Sequence, residues 1–184
     1  MTVPVAALIR LARPRQWVKN AFVLAPLFFT PEAVNARNLG LAAAAFTVFC
    51  LLASAIYVFN DWCDRAADRE HPSKRSRPLA SGAVSPALGL AWSLALLAAG
   101  IGLAMAVLPR PAMVLALVYA GSSALYSIRL KHVSVLDVLI VALGFVLRVG
   151  AGAAAIAITP TPWIVICTFL LALFLALAKR RDDL

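Results

Sequence analysis

The chain has 184 residues, of which 63% are apolar and only 14% charged, with a formal net charge of +9. Soluble domains usually carry about a quarter charged residues, so this composition excludes an ordinary soluble domain. A positive balance would point to nucleic acid in a soluble protein, but here it lies between apolar runs, which excludes nucleic acid and points to membrane orientation and an anionic ligand.

Val3–Leu11 is mildly apolar and is followed closely by Arg13 and Arg15, as an interfacial helix would be. No cleavable signal is expected, because Thr30-Pro31-Glu32 follows the first apolar stretch, Ala21–Phe29. Four long runs carry no charge: Leu39–Phe59, Ser85–Pro109, Pro111–Ile128 and Val149–Ala178. About 20 apolar residues cross a bilayer, and backbone in lipid must satisfy itself, so the runs predict helices. Their continuity excludes the alternation of barrel strands. Six spans are expected, at 16–31, 39–59, 85–108, 111–128, 133–158 and 162–178, with Pro160 and Pro162 dividing the last run. The fold class is therefore an all-α polytopic transmembrane bundle, one domain over residues 1–184.

Fourteen of the 17 basic residues then fall on one side: the segment through Lys19, the loop after span two, Arg129 and Lys131, and the tail at 179–181. This bias predicts a cytoplasmic N-terminus and a cytoplasmic charged loop at 61–84 in the inner cell membrane. Trp17, Trp62 and Trp163 fit interfacial belts, and Cys50, Cys63 and Cys167 lack metal-ligand spacing.

The chemistry concentrates after span two. Four of the eight acidic residues lie in Asp61–Glu70. On a helix continuing from span two, Asp61, Asp64 and Asp68 fall at i, i+3 and i+7 on one stripe, preceded by Asn60. Stacked carboxylates repel and need a positive partner, and Mg²⁺ binds one or two carboxylates together with substrate phosphates. Arg65, Arg69, Lys74, Arg75 and Arg77 supply the phosphate side, and Pro72, Pro78 and Gly82 let them fold back. The alternative is a solvated loop whose charges pair internally. Lys19 and Asn20 lie within the first span, Asp137 and Arg148 within the fifth, and Arg148 is deep enough to need a partner or a polar cavity.

Asn60-Asp-Trp-Cys-Asp-Arg-Ala-Ala-Asp-Arg69 resembles the NDxxDxxxD motif of UbiA-type intramembrane prenyltransferases, in the same place between the second and third spans. Arg13–Asn20, Asp68–Pro78 and Tyr126–His132 are similar to the decaprenyl-phosphate phosphoribosyltransferase branch of that superfamily. The resemblance implies a nine-span fold, of which this chain would hold six and be inactive alone. It implies that Asn60, Asp61, Asp64 and Asp68 hold Mg²⁺, with Asp61 and Asp64 catalytic. It also implies that Arg13, Lys19, Asn20, Arg69, Lys74, Arg75, Arg77, Tyr126 and Lys131 bind substrate. The partners implied are a diphosphate-bearing donor, phosphoribosyl pyrophosphate or a prenyl diphosphate, and a polyprenyl lipid. Lys131 lies five residues after Tyr126, where many aromatic-prenylating relatives have four. That departure favours phosphoribosyl transfer to a polyprenyl phosphate over prenyl transfer to an aromatic acceptor; a transporter subunit or scaffold is the non-enzymatic alternative.

Overall fold

The computed structural model of the chain describes residues 5–128 and 136–182. Among these there is no strand. The order is α1 (Val5–Ala12), a 3-10 segment (Pro14–Val23), α2 (Ala25–Phe28), a 3-10 turn (Pro31–Ala33), α3 (Ala36–Glu70), α4 (Pro86–Val107), α5 (Arg110–Ile128), α6 (Leu136–Ala155) and α7 (Pro162–Asp182).

Prolines and caps set the boundaries. A proline disfavours helical backbone in the residue before it. Accordingly His71 closes α3 at ψ 128° before Pro72, and Leu108 closes α4 at ψ 143° before Pro109, while Arg13 leaves α1 through the left-handed region at φ 50° and ψ 57°. Asn35 and Ser85 cap α3 and α4 by accepting from the amides of Asn38 and Leu88. Just beyond α6, Ala157 is left-handed at φ 56°, and the Ile158 amide reaches back to the Ala153 carbonyl at 3.0 Å, the closing bond of a Schellman turn.

Four helices, α3 to α6, are long and apolar enough to cross a membrane, and the apolar part of α7, Pro162–Ala178, is shorter. The chain is thus an integral membrane helix bundle. Spans two to five are found close to their expected limits, and the sixth is the apolar part of α7. The first expected span, 16–31, is corrected. It is a 3-10 segment followed by a single α-helical turn. The reason is register. In a 3-10 helix residues three apart eclipse, and here Trp17, Asn20 and Val23 all face inward. Trp17 Nε1 donates to Ser54 Oγ at 2.9 Å, Asn20 Oδ1 accepts from Arg148, and Val23 lies against Gly152. The charged segment is also divided: residues 61–70 continue α3, and only 71–84 form turns.

α3 sits in the middle, packed by α1, the 3-10 segment, α4, α5 and α6. Its inner residues Ala45, Val48, Phe49 and Leu52 meet Ala112, Ala116 and Tyr119 of α5 and Ala151 and Ala155 of α6. Small residues at these contacts let helices approach closely, which in lipid is the main source of packing attraction. The closest approach is at Gly152, where any Cβ would run into the carbonyl of Val23. α1 is amphipathic and docks rather than floating. Ala7 and Leu11 are buried with Val58, Leu79 and Val84, and Trp92 Nε1 donates to the Leu8 carbonyl at 3.2 Å.

Candidate functional site

Around the axis of α3, successive residues turn by about 100°. Asp61 and Asp68 therefore point within about 20° of each other, while Asn60 and Asp64 form a second pair, about 40° apart and rotated away from the first. The structure uses the two directions differently.

Asp61 and Asp68 are buried and face cations. Arg77 Nη1 donates to Asp68 Oδ2 at 2.8 Å and to Asp61 Oδ1 at 3.1 Å, and Arg13 Nη2 donates to Asp61 Oδ1 at 2.6 Å. One guanidinium thus spans both carboxylates and ties the turns at 71–84 to α3, and Leu79 and Val84 of the same turns are buried. Asn60 and Asp64 instead line a cavity of about 520 Å³, with Asn60 Nδ2 donating to Asp64 Oδ2 at 3.2 Å. The cavity wall also carries Arg13, Lys19, Tyr57, Lys74, Arg77, Tyr126 and Asp137, and its other end carries Tyr119 and Arg148.

The expected site residues therefore divide. Arg13, Lys19, Asn60, Asp64, Lys74, Arg77 and Tyr126 meet at one cavity. Asp61 and Asp68 stand behind it, neutralised by arginines. The expected stripe of three carboxylates does not converge as a unit: among the described residues no three His, Cys, Asp or Glu side chains are grouped to hold a metal. Asn20 is fully buried away from the cavity wall, accepting from Arg148 Nε at 2.8 Å and donating to Cys50 Sγ at 3.3 Å. Arg69 Nε donates to the Ala80 carbonyl at 3.1 Å, and exposed Arg75 is not part of the wall. Lys131 lies outside the described residues.

Tyr57, Tyr119 and Ser123 also line the cavity, and the sequence reading did not select them. A signal was available. Tyr119, Ser122, Ser123 and Tyr126 are polar groups inside the apolar run 111–128, and intramembrane polar residues tend to face a cavity or the bundle interior.

The donor chemistry suits Mg²⁺. Asn60 and Asp64 offer an amide oxygen and a carboxylate on one face, and Mg²⁺ takes few carboxylates and completes its shell with water and phosphate. Lys19, Lys74, Arg13 and Arg77 around them supply cations for those phosphates.

The chain is 40% identical over 180 residues to the decaprenyl-phosphate phosphoribosyltransferase of Corynebacterium glutamicum, covering 96% of this chain and 54% of that protein. It is 41% identical over 186 residues to the enzyme of the same name from Mycolicibacterium smegmatis, covering 98% and 58%. The fold is similar to that of a UbiA homolog from Archaeoglobus fulgidus bound to GPP and Mg²⁺, with a TM-score of 0.75 at 25% identity over 91% of this chain and 60% of that one. The chain thus spans between about half and three-fifths of the length of these relatives. Residues 21–183 match the UbiA prenyltransferase family, and the chain belongs to that family.

Proposed function

We propose that the chain carries the donor site of a Mg²⁺-dependent transferase that moves a 5-phosphoribosyl group from phosphoribosyl pyrophosphate to a polyprenyl phosphate. The observation that carries this reading is the pairing of Asn60 and Asp64 with Lys19 and Lys74 around one cavity, a setting for a metal-bound diphosphate. The choice of a sugar donor rests on the names of the relatives that match along nearly the whole chain.

In this reading Asn60 and Asp64 hold Mg²⁺, which when bound neutralises a diphosphate and eases its departure. Lys19, Lys74 and the guanidiniums of Arg13 and Arg77 bind the phosphate oxygens, and their attraction grows as the leaving group gains charge. Asp61 and Asp68 position Arg77 rather than touch substrate. The bond between the anomeric carbon and the diphosphate breaks as a lipid phosphate oxygen bonds to that carbon. The nucleophile is already anionic, so no general base is required, and among the described residues the cavity wall carries no His or Cys. Prenyl transfer is the second reading, favoured by the prenyl diphosphates GPP and DMAPP bound to the solved Archaeoglobus homolog.

Calorimetry on the purified chain separates the two. Phosphoribosyl pyrophosphate is expected to bind only with Mg²⁺ present, and more tightly than geranyl diphosphate does. The reverse preference would overturn the sugar-donor reading.

The site end of α3 is proposed to face the cytoplasm, because Arg13, Lys19, Lys74 and Arg77 gather there. A Ser73→Cys variant is expected to resist a membrane-impermeant maleimide added to intact cells and to react once the cells are opened. Ser73 is exposed on the turns after α3. Labelling of intact cells would reverse the orientation.

A further inference from the structure

Asp137 and Arg148 lie on α6 and line the same cavity, 11 residues apart. At 1.5 Å per residue that is about 16 Å along the helix axis. The cavity therefore extends from a mouth at Asp64, Lys74 and Asp137 to a floor at Arg148, well inside the apolar part of the bundle.

Arg148 is 5% exposed. Its Nε donates to Asn20 Oδ1 at 2.8 Å, Nη1 to the Gly144 carbonyl at 2.8 Å, and Nη2 to Tyr119 Oη at 2.9 Å. The guanidinium also lies over the rings of Tyr119 and Phe145, at 4.5 and 5.2 Å. Every one of these partners is neutral. Asp61 and Asp68 pair with Arg13 and Arg77, and neither of these carboxylates reaches Arg148. Five N–H groups belong to a guanidinium, so two remain, one on each Nη.

A buried charge that meets only neutral partners is costly in a membrane protein. Hydrogen bonds among Asn20, Tyr119 and the Gly144 carbonyl could be arranged around an uncharged side chain. A retained charge at a cavity floor is useful when an anion comes to it, and the planar fork of arginine suits phosphate oxygens.

We propose that Arg148 forms an anion subsite at the cavity floor that takes a phosphate monoester, separate from the metal–diphosphate position at the mouth. It rests on the donor reading above only in that the mouth is assigned to the diphosphate. Two sources have this chemistry: the 5-phosphate of the sugar donor and the head of the lipid acceptor. An apolar prenyl chain entering from a diphosphate at the mouth would instead meet this charge.

The test is calorimetry on the chain in nanodiscs with four probes: Mg²⁺-pyrophosphate, Mg²⁺-phosphoribosyl pyrophosphate, farnesyl phosphate and 4-hydroxybenzoate. Two variants remove the charge by different routes. Arg148→Gln deletes it. Asn20→Asp keeps the guanidinium and its tie to the 3-10 segment but places a carboxylate beside Nε, and it serves if the first variant fails to fold. Arg148→Lys keeps the charge. In both neutralised variants the affinity for one phosphate monoester is expected to fall at least roughly tenfold, with Mg²⁺-pyrophosphate changed by less than about twofold and the Lys variant in between. The ligand that weakens identifies the source.

The proposal is overturned if the Asn20→Asp chain binds both monoesters as the wild type does, if all ligands weaken together, or if only 4-hydroxybenzoate depends on Arg148. If Mg²⁺-pyrophosphate fails to bind the wild type while farnesyl phosphate binds through Arg148, the donor reading falls and the floor subsite stands.

Discussion

Asp64→Asn is expected to weaken Mg²⁺-dependent binding of phosphoribosyl pyrophosphate on the order of 100-fold, while the helices stay folded. Changes one layer outside a metal site typically cost about 10- to 100-fold in affinity, and a direct carboxylate ligand should reach the upper end. The substitution keeps the shape of the side chain and removes its charge. Asp64 lies in the cavity wall beside Asn60, outside the ion pairs of Arg13 and Arg77. Titration of the donor with and without Mg²⁺, alongside helical content by circular dichroism, checks both halves. Unaltered Mg²⁺-dependent binding would remove Asp64 from the site.

The opposite outcome is expected at Arg77. Arg77→Met takes one guanidinium from two buried carboxylates, Asp61 and Asp68, and leaves Asp68 without an ion-pair partner. Breaking a fully buried pair costs about 3–5 kcal/mol. The Arg77 side chain keeps 27% of its exposure, so solvent should lower the loss to about 2–3 kcal/mol. Adding Asp68→Asn should restore part of it, because the unmatched charge is then gone. Unfolding by SDS titration of the two single variants and the double measures this coupling. Equal stability of Arg77→Met and wild type would show that the ion pairs do not hold the turns to α3.

The contrast between these variants shows where the sequence was legible. Continuation of the helix past Phe59 could be read from the spacing of Asp61, Asp64 and Asp68, and α3 does run to Glu70. The stripe could not be resolved further from one strand of reasoning. Positions 40–60° apart count as one face in a sequence pattern, yet that angle separates carboxylates paired with Arg77 from one lining the cavity. Which cation meets which acid depends on how the turns at 71–84 fold, and that is set by burial of Leu79 and Val84 against α1 and α3. Arg148 was legible as a charge in need of company, but not the identity of its partners. Asn20 is 128 positions away, and Tyr119 comes from α5. The first span was misread because Ala21–Phe29 looks like the core of a helix, while the inward faces of Trp17, Asn20 and Val23 repeat every three residues.

α3 joins two environments in one rigid rod. Its 35 residues make it ~52 Å long, and the charge-free part, 39–59, matches the ~30 Å of hydrocarbon. Asn60 and Asp64 follow that part with no hinge between. A helix hardly shortens under load, so a thinner bilayer makes it tilt or draws the lipid surface toward its ends. The height of Asp64 above the acyl chains is then a function of membrane thickness, and so is its distance from the plane in which lipid headgroups float. Hydrophobic mismatch thereby becomes a property of the site itself, carried from the bilayer to the carboxylate by a single unbroken helix.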